Sequence, residues 1–361
     1  MRTRAARPAF GGIPLAWLCV GLLGSAQAAP IADWEGCSAI SADAERLACY
    51  DRLAGRPPPA AVSGAASGAA SGAEPHAAPE PVAAPAAPPE PRLLSALSRH
   101  WELDDEAKRG AFLFRPHRPN YFLPLKASNS PNNASFPATQ GQTDLRLDPV
   151  EAELQLSFKI KGTQGVFGHD NVDLWFGYTT TSFWQTYNHS LSSPFRETNY
   201  EPEAMLVFRT DYDLAGFRGR FLNLGLVHQS NGRGAALSRS WNRVYAQFGF
   251  ERGNLALLVR PWYRIPERDG DDSDNPDIED YMGHGDLLAV YSKGRNTYSL
   301  LLRSNFGTPD HRGALKLNWS FPLYGRLRGY VQYFNGYGES LIDYNHSQQS
   351  LGLGVSLTGG M

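Results

Sequence analysis

The sequence predicts an all-β protein, an antiparallel transmembrane β-barrel of about twelve strands with a small N-terminal periplasmic extension. Three observations predict this fold class. The chain begins with a secretory signal, segments of about ten residues alternate between apolar and polar side chains, and turn-forming residues separate these segments. Alternation with a period of two residues is typical of strands that face lipid on one side and a polar lumen on the other.

Residues 1–28 have the features of a secretory signal peptide. Arginines near the start precede an apolar run from Ile13 to Leu23, and the tripeptide Ala26-Gln27-Ala28 follows. This run is too short to cross a membrane as a helix, and the tripeptide fits an A-x-A cleavage site. We therefore expect the mature chain to begin at Ala29 and to work in an oxidising compartment.

Two short regions separate the signal from the main domain. Residues 29–55 form a small module that keeps Cys37 and Cys49, whereas Cys19 leaves with the signal. An even pair of cysteines in a secreted chain predicts a local disulfide, with two free thiols as the alternative. Residues 56–92 are rich in Ala, Pro, Gly and Ser and include the repeat SGAASGAASGA. This composition predicts a flexible linker.

Residues 93–361 have the composition and patterning of a folded domain. The whole chain is 42% hydrophobic with a formal net charge of -2, which favours neither nucleic-acid binding nor a helical membrane protein. The predicted strands are 120–126, 151–160, 172–181, 203–212, 221–230, 242–251, 254–264, 286–292, 296–306, 314–321, 326–335 and 350–357. An even number of antiparallel strands after a signal peptide indicates a barrel in the outer membrane of a Gram-negative bacterium.

The two faces of the predicted strands differ in chemistry. In 326–335, Leu327 and Val331 lie on one face, and Arg328 and Gln332 lie on the other. Arginine opposite leucine fits a polar lumen with lipid outside. A soluble β-sandwich would alternate in a similar way, but the strand count and the aromatic residues near strand ends favour the barrel.

One predicted hairpin, 221–251, ends its apolar face in polar residues. His228 and Ser230 continue the face of Leu224 and Leu226, and Asn242 begins the apolar face of the next strand. Folding the two strands together brings Asn242 near His228 and Ser230. A histidine can take the proton of a serine while an asparagine oxygen holds its other ring N–H. A plain surface His, Ser and Asn is the alternative, and their common face favours a Ser-His-Asn hydrolase that would meet lipid esters.

Several stretches from about residue 120 to the C-terminus resemble the outer membrane phospholipase A family. They are SSPFRETNYEP from Ser192, HQSNGR from His228, SRSWNR from Ser238, RPWY from Arg260, DNPDI from Asp274 and NGYGESLIDYN from Asn335. The resemblance implies a twelve-stranded barrel with phospholipase A1 and A2 activity towards phospholipids and lysophospholipids. It also implies Ca²⁺ as the cofactor and a homodimer as the active form.

The resemblance implies a role for each matching residue. Ser230 would be the nucleophile, His228 the general base and Asn242 the residue that orients His228. The N–H of Gly232 would stabilise the oxyanion. The implied calcium ligands are the carbonyl of Arg233, the hydroxyl of Ser238, the carbonyl of Ser192 from a second protomer and, in the monomeric form, Asp274. Ala235 stands where the family can carry an acidic residue, which weakens a second calcium site formed with Asp274.

Two other functions stay open at the level of sequence. A passive, porin-like barrel with a decayed hydrolase motif would conduct ions without releasing acyl chains in the presence of calcium. A soluble periplasmic sandwich that acts as a binding module would be extracted without detergent. The acidic segment 269–280 is typical of a solvated loop, although near a cation site it could raise the local calcium concentration.

Overall fold

The structure, a computed structural model, describes residues 37–38, 40–53, 94–135, 146–267, 274–307 and 310–358. The chain divides into two compact units, Met1–Ala86 and Ala87–Met361. In the first unit Cys37 and Cys49 form the predicted disulfide, with their Cα atoms 5.6 Å apart. Cys49 lies on the helix Asp43–Leu53. The predicted signal, 1–28, and the predicted linker, 56–92, lie outside the described residues.

The second unit is a closed antiparallel barrel. Its strands are β1 (Arg115–Pro116), β2 (Tyr121–Ser128), β3 (Val150–Gln164), β4 (Val172–Trp184), β5 (Phe195–Leu214), β6 (Phe217–Ser230), β7 (Ser240–Arg252), β8 (Leu255–Arg264), β9 (Gly285–Lys293), β10 (Asn296–Ser304), β11 (Gly313–Tyr324), β12 (Leu327–Tyr337) and β13 (Ser347–Ser356). Strands β2 to β13 pair in chain order, and β13 pairs with β2 to close the barrel. The twelve predicted strands are therefore confirmed, and β1 is an additional short strand beside β3.

Several strand ends differ from the sequence prediction by two residues or more, among them those of β3, β5, β6, β10 and β13. Strand β5 begins at Phe195, well before the predicted residue 203. Strand β10 ends at Ser304, short of the predicted residue 306. Phe306 has a φ of 48°, and this left-handed conformation cannot continue a strand. In the described part of the chain, no helix is both long and apolar enough to cross a membrane.

The outer face of the barrel is apolar and the interior is charged. Leucines such as Leu226 and Leu353 are exposed, whereas Lys126 and Glu153 are fully buried inside. Lys126 Nζ lies 2.6 Å from a Glu153 oxygen and 2.9 Å from a Glu339 oxygen. Buried charges need such partners because their desolvation is costly. This arrangement reverses that of a soluble protein and suits a barrel surrounded by lipid.

The two ends of the barrel have different connections. At one end, here called the short-turn end, residues 215–216, 253–254, 294–295 and 325–326 join neighbouring strands in two-residue turns. Gly253 and Gly294 have φ values of 56° and 59°, which glycine adopts without steric cost. Longer segments join the strands at the opposite end, here called the long-loop end. Strand β6 ends and strand β7 begins at the long-loop end.

The segment 94–117, here called the inner plug, fills the barrel at the short-turn end. Its helix Ala96–Trp101 buries Trp101, which is 2% exposed. The Trp101 ring packs against the rings of Trp175 and Phe221, with centroids 6.1 and 5.4 Å away. Burial of such large aromatic side chains contributes strongly to stability.

Charged groups fix the inner plug to the barrel wall. Glu102 lies 3.0 Å from Lys161 Nζ of β3 and, within the inner plug, 2.8 Å from Arg115 Nε. Asp104 pairs with Arg220 of β6 at 2.7 Å. Trp101 and Glu102 therefore anchor the inner plug in the interior of the barrel.

Candidate active site

The β6–β7 hairpin brings the predicted His and Asn together at the long-loop end. His228 is the direct cross-strand partner of Asn242, and Ser230 is the partner of Ser240. His228 Nδ1 and the Asn242 side-chain oxygen lie 2.9 Å apart. Because an amide oxygen only accepts a hydrogen bond, Nδ1 is the donor in this contact, and Nε2 is left for another partner. The cross-strand neighbours predicted from the period-2 pattern are thus observed.

These residues lie on the outer face of the barrel. Leu224 and Leu226, on the same face of β6, are 44% and 53% exposed. His228 is exposed, and Ser230 and Asn242 are half-buried. Ser230 follows His228 by two residues on this face, but among the described residues no hydrogen bond joins their side chains. The arrangement can supply a hydroxyl and an oriented imidazole to a molecule that approaches from the lipid side.

Asn231 shapes the loop that follows Ser230. This side chain is 4% exposed, and its amide nitrogen donates to the carbonyl of Leu237 at 2.8 Å. Its amide oxygen accepts the backbone N–H groups of Arg233 at 3.2 Å and Arg239 at 3.0 Å. One buried side chain therefore satisfies three backbone groups of the loop and fixes its path.

Gly232 adopts a conformation that other residues rarely tolerate. Its φ is 63° and a Cβ at this position would lie 3.1 Å from the Tyr200 ring. The residue is exposed, and no described residue accepts a hydrogen bond from its N–H. Glycine thus allows the chain to turn directly after the Ser230 strand and to leave a backbone donor beside it.

Two of the predicted calcium ligands are in contact. The Ser238 hydroxyl donates to Asp274 Oδ2 at 2.5 Å, and the Ser240 hydroxyl donates to the same oxygen at 3.2 Å. Asn275 accepts the backbone N–H of Ser240 at 2.9 Å, so the β8–β9 loop is held against the start of β7. Arg233 lies on the same β6–β7 loop as Ser238.

The donor atoms fit a hard cation such as Ca²⁺. Calcium prefers carboxylate, hydroxyl and carbonyl oxygens, and Asp274, Ser238 and the Arg233 carbonyl belong to these classes. Within the described ranges no group of three or more His, Cys, Asp or Glu could hold a metal. A calcium site here would therefore depend on hydroxyl and carbonyl oxygens beside a single carboxylate.

Ser192 lies on a different loop from the other predicted ligands. It follows the short 3₁₀ turn His189–Leu191 on the β4–β5 loop, with a φ of 58°. No described contact joins Ser192 to Ser238 or Asp274. In the predicted acidic segment, Asp269, Asp271 and Asp272 lie outside the described residues. Asp277 does lie within them, and it accepts a hydrogen bond from the Tyr344 hydroxyl at 2.6 Å.

The segment 338–346, here called the brace loop, covers the interior at the long-loop end. Leu341 and Tyr344 are buried. Asp343 lies 2.9 Å from Arg196 and accepts the Ser340 hydroxyl at 2.7 Å. Burial alone would raise the pKa of Asp343, but Arg196 and its hydrogen-bond donors outweigh burial and hold this pKa below its ordinary value. The brace loop is therefore fixed through charge.

Sequence reasoning did not assign roles to the inward-facing polar residues at this end. Gln229, between His228 and Ser230, accepts hydrogen bonds from Trp241 Nε1 at 2.8 Å and Arg243 at 3.0 Å. In the sequence, Asn231 stands out only as part of the motif HQSNGR. The sequence did contain a signal for these residues. Gln229 and Asn231 alternate with His228 and Ser230, and the period of two residues places them on the inward face of the strand.

The chain resembles known phospholipases over most of its length. The family model described as "Phospholipase A1" matches residues 97–357. A putative phospholipase A1 of Neisseria meningitidis serogroup B is 44% identical over 271 residues, which cover 73% of this chain and 70% of that protein. Phospholipase A1 of Escherichia coli K12 is 40% identical over 246 residues, 68% of this chain and 82% of that protein.

Solved structures of similar proteins have the same fold. Outer membrane phospholipase A from Escherichia coli matches with a TM-score of 0.64 at 37% identity and covers 70% of this chain and 95% of that one. The Salmonella typhi outer membrane phospholipase, described as a dimer with bound calcium, matches with a TM-score of 0.66 at 36% identity. That match covers 73% of this chain and 98% of the Salmonella chain.

Proposed function

Because the chain belongs to the phospholipase A1 family, a family of ester hydrolases, we propose that it hydrolyses acyl esters of phospholipids and lysophospholipids in a Gram-negative outer membrane. The observation that carries the proposal is the 2.9 Å contact between His228 Nδ1 and the Asn242 oxygen on the outward face. An imidazole that faces lipid and is held by Asn242 can act as a general base towards a lipid substrate. The neighbouring hydroxyl of Ser230 is the nucleophile in this proposal.

The reaction has two steps that use the same residues. Ser230 Oγ attacks the acyl carbonyl carbon while His228 Nε2 takes the hydroxyl proton. His228 then gives this proton to the leaving glycerol oxygen, the ester C–O bond breaks, and the acyl group stays on Ser230. Water attacks the acyl-enzyme, His228 takes the water proton and returns it to Ser230 Oγ, and a fatty acid leaves. Asn242 holds the ring in place throughout.

Negative charge develops on the carbonyl oxygen in each step. The exposed N–H of Gly232 is the proposed backbone donor to this oxyanion. Asn242 is neutral and cannot balance the imidazolium charge as an aspartate would. Electrostatic stabilisation at the oxyanion must therefore provide a larger share of the catalysis.

We assign the calcium ligands as the Arg233 carbonyl and the Ser238 hydroxyl, with the partner's Ser192 completing the site in a homodimer. Asp274, which contacts Ser238, would bind calcium in the monomeric form. Bound calcium would supply positive charge near the oxyanion. The contact between Ser238 and Asp274 supports this assignment, as does the similarity to the Salmonella phospholipase, a dimer with bound calcium.

Fatty-acid release from phospholipid micelles by refolded protein tests the proposal. Release should require calcium, stop with a chelator and be lost in Ser230→Ala. A porin-like barrel is the second candidate, and it would instead give steady ion conductance in planar bilayers without acyl release. Release that persists in Ser230→Ala would mean that the nucleophile is assigned wrongly.

A further inference from the structure

Glu197 of β5 occupies an unusual position beneath the site. Its side chain is completely buried inside the barrel, one strand away from Ser230. The two carboxyl oxygens have different partners. Oε2 lies 3.3 Å from Arg233 Nε and 3.5 Å from the Asn231 amide nitrogen. Oε2 therefore contacts the two residues that flank Gly232.

The other carboxyl oxygen of Glu197 points to the brace loop. Oε1 accepts the backbone N–H of Ile342 at 3.2 Å and the Asn199 amide at 2.8 Å. Asn199 in turn accepts the backbone N–H of Leu341 at 3.0 Å. One buried carboxyl group thus joins the loop after Ser230 to the brace loop. The Arg233 side chain also donates to the carbonyl of Arg196, next to Glu197.

The other inward acids of β5 have different partners. Glu201 is bound by Arg118 through two hydrogen bonds of 2.6 and 3.1 Å. Glu203 contacts His117 at 2.7 Å and the Tyr245 hydroxyl at 2.6 Å. His117 belongs to the inner plug, Arg118 directly follows it, and Tyr245 belongs to strand β7. Glu197 instead contacts loop residues, and the Arg233 side chain that it binds is partly open to solvent.

We propose that Glu197 is a positioning residue for the segment Asn231 to Arg233. By holding the side chains on both sides of Gly232, it sets the direction of the Gly232 N–H and of the Arg233 carbonyl. Groups that orient a ligand or an oxyanion donor are needed because small displacements at such sites reduce activity strongly. This inference rests on the proposed function, since it assumes that those two backbone groups act in catalysis and calcium binding.

The test compares Glu197→Gln with a matched control, Glu203→Gln. Both residues are buried on the same face of β5, but Glu203 contacts no residue of the loop 231–239. Equilibrium calcium binding is measured in a Ser230→Ala background, and kcat and KM are measured separately with Ser230 intact. Glu197→Gln should weaken calcium binding and lower kcat by roughly 10- to 100-fold, as loss of groups that orient metal ligands does. KM should change much less.

Glu203→Gln should leave calcium affinity and kcat near those of the wild type. Equal effects of the two substitutions, or no effect of Glu197→Gln, would overturn the proposal. Arg233→Met gives a second route because it removes the guanidinium but keeps the backbone carbonyl. It should weaken calcium binding like Glu197→Gln. The double variant should lose no more calcium affinity than either single variant. Calcium affinity that is unchanged in Arg233→Met would also overturn the proposal, even if Glu197→Gln fails to fold.

The same experiment separates this inference from the proposed function. If the wild type releases fatty acid with calcium and Ser230→Ala does not, the enzyme assignment holds whatever Glu197→Gln does. If the wild type neither binds calcium nor releases fatty acid, the proposed function itself fails.

Discussion

The two ends of the barrel are built in opposite ways. At the short-turn end, the inner plug buries Trp101 among aromatic rings and fixes Glu102 between Arg115 and Lys161. At the long-loop end, single polar side chains such as Asn231 hold loops in place, and His228 remains exposed. The short-turn end provides burial and paired charge alone, whereas the long-loop end combines the charge-fixed brace loop with oriented polar groups at the surface. Substitutions of buried residues in the inner plug or the brace loop should therefore reduce stability, and substitutions of the surface site residues should reduce the chemistry.

The largest expected effect on chemistry is that of His228→Ala. Without the imidazole, nothing takes the Ser230 proton, and calcium-dependent fatty-acid release should fall by about 10³-fold or more. His346→Ala is a suitable control because His346 lies at the same end and contacts the carbonyl of Ser130 at 2.7 Å. Release by His346→Ala close to the wild-type rate is expected. A similar loss in both variants would argue against the assignment of the base.

At the opposite end, Trp101→Ala should reduce stability without changing the chemistry. Removing a buried Trp side chain costs about 3–5 kcal/mol in unfolding free energy, which urea titration in micelles would measure. Phe112 lies in the same segment and is 74% exposed, so Phe112→Ala should leave the unfolding free energy unchanged. If the Trp101→Ala variant folds but no longer releases fatty acid, the two ends are coupled, and stability and chemistry are not separated between them.

Asn242→Ala should have a smaller effect than His228→Ala. The imidazole stays but loses the hydrogen bond that fixes its tautomer and direction, so release should fall by roughly 10²-fold. The measurement is kcat at saturating calcium and lipid. A loss as large as that of His228→Ala would mean that Asn242 does more than orient the ring.

The smallest expected effect concerns the brace loop and pH. The pKa of Asp343 is held below its ordinary value by Arg196. A carboxyl group with a depressed folded pKa stabilises the protein above its unfolded pKa of about 3.9, and this contribution is lost as pH falls through the folded pKa. Asp343→Asn should therefore lower the unfolding free energy by about 1.5–3 kcal/mol at neutral pH.

Below about pH 4, the stabilities of the wild type and Asp343→Asn should converge. Asp310→Asn is the matched control, since the Asp310 carboxylate is exposed and lies 3.9 Å from Arg312. Surface pairs of this kind contribute about 0–1 kcal/mol. The opposite result would be unfolding free energies of wild type and Asp343→Asn that differ by the same amount down to low pH. That result would contradict a stabilising role of the Asp343 charge.

Much of the barrel could be predicted because its strands follow a simple period. Alternation predicted the twelve strands, their two faces and the pairing of His228 with Asn242, which the structure confirms. The local disulfide between Cys37 and Cys49 is also confirmed. The boundaries at residues 28, 55 and 92 and the catalytic roles of the site residues stay predictions.

Other features could not be predicted because they depend on contacts distant in the chain. The helix Ala96–Trp101 is too short for a helical period to be recognised. Glu197 and Ile342 meet only when the barrel closes. The early start of β5 and the φ of Phe306 depend on loop geometry rather than on alternation. Periodic patterns thus predict the wall of the barrel, and tertiary contacts decide how its ends are filled.

The most direct test of the account is to identify the residue that reacts covalently with a long-chain alkylsulfonyl fluoride, which modifies activated serines. Mass spectrometry of the labelled protein should find the modification at Ser230, with calcium present, and labelling should disappear in His228→Ala. This result is expected because only a serine beside an oriented imidazole on the lipid-facing surface reacts in this way. Modification of a different serine, or labelling of Ser230 that is unaffected by His228→Ala, would contradict the account.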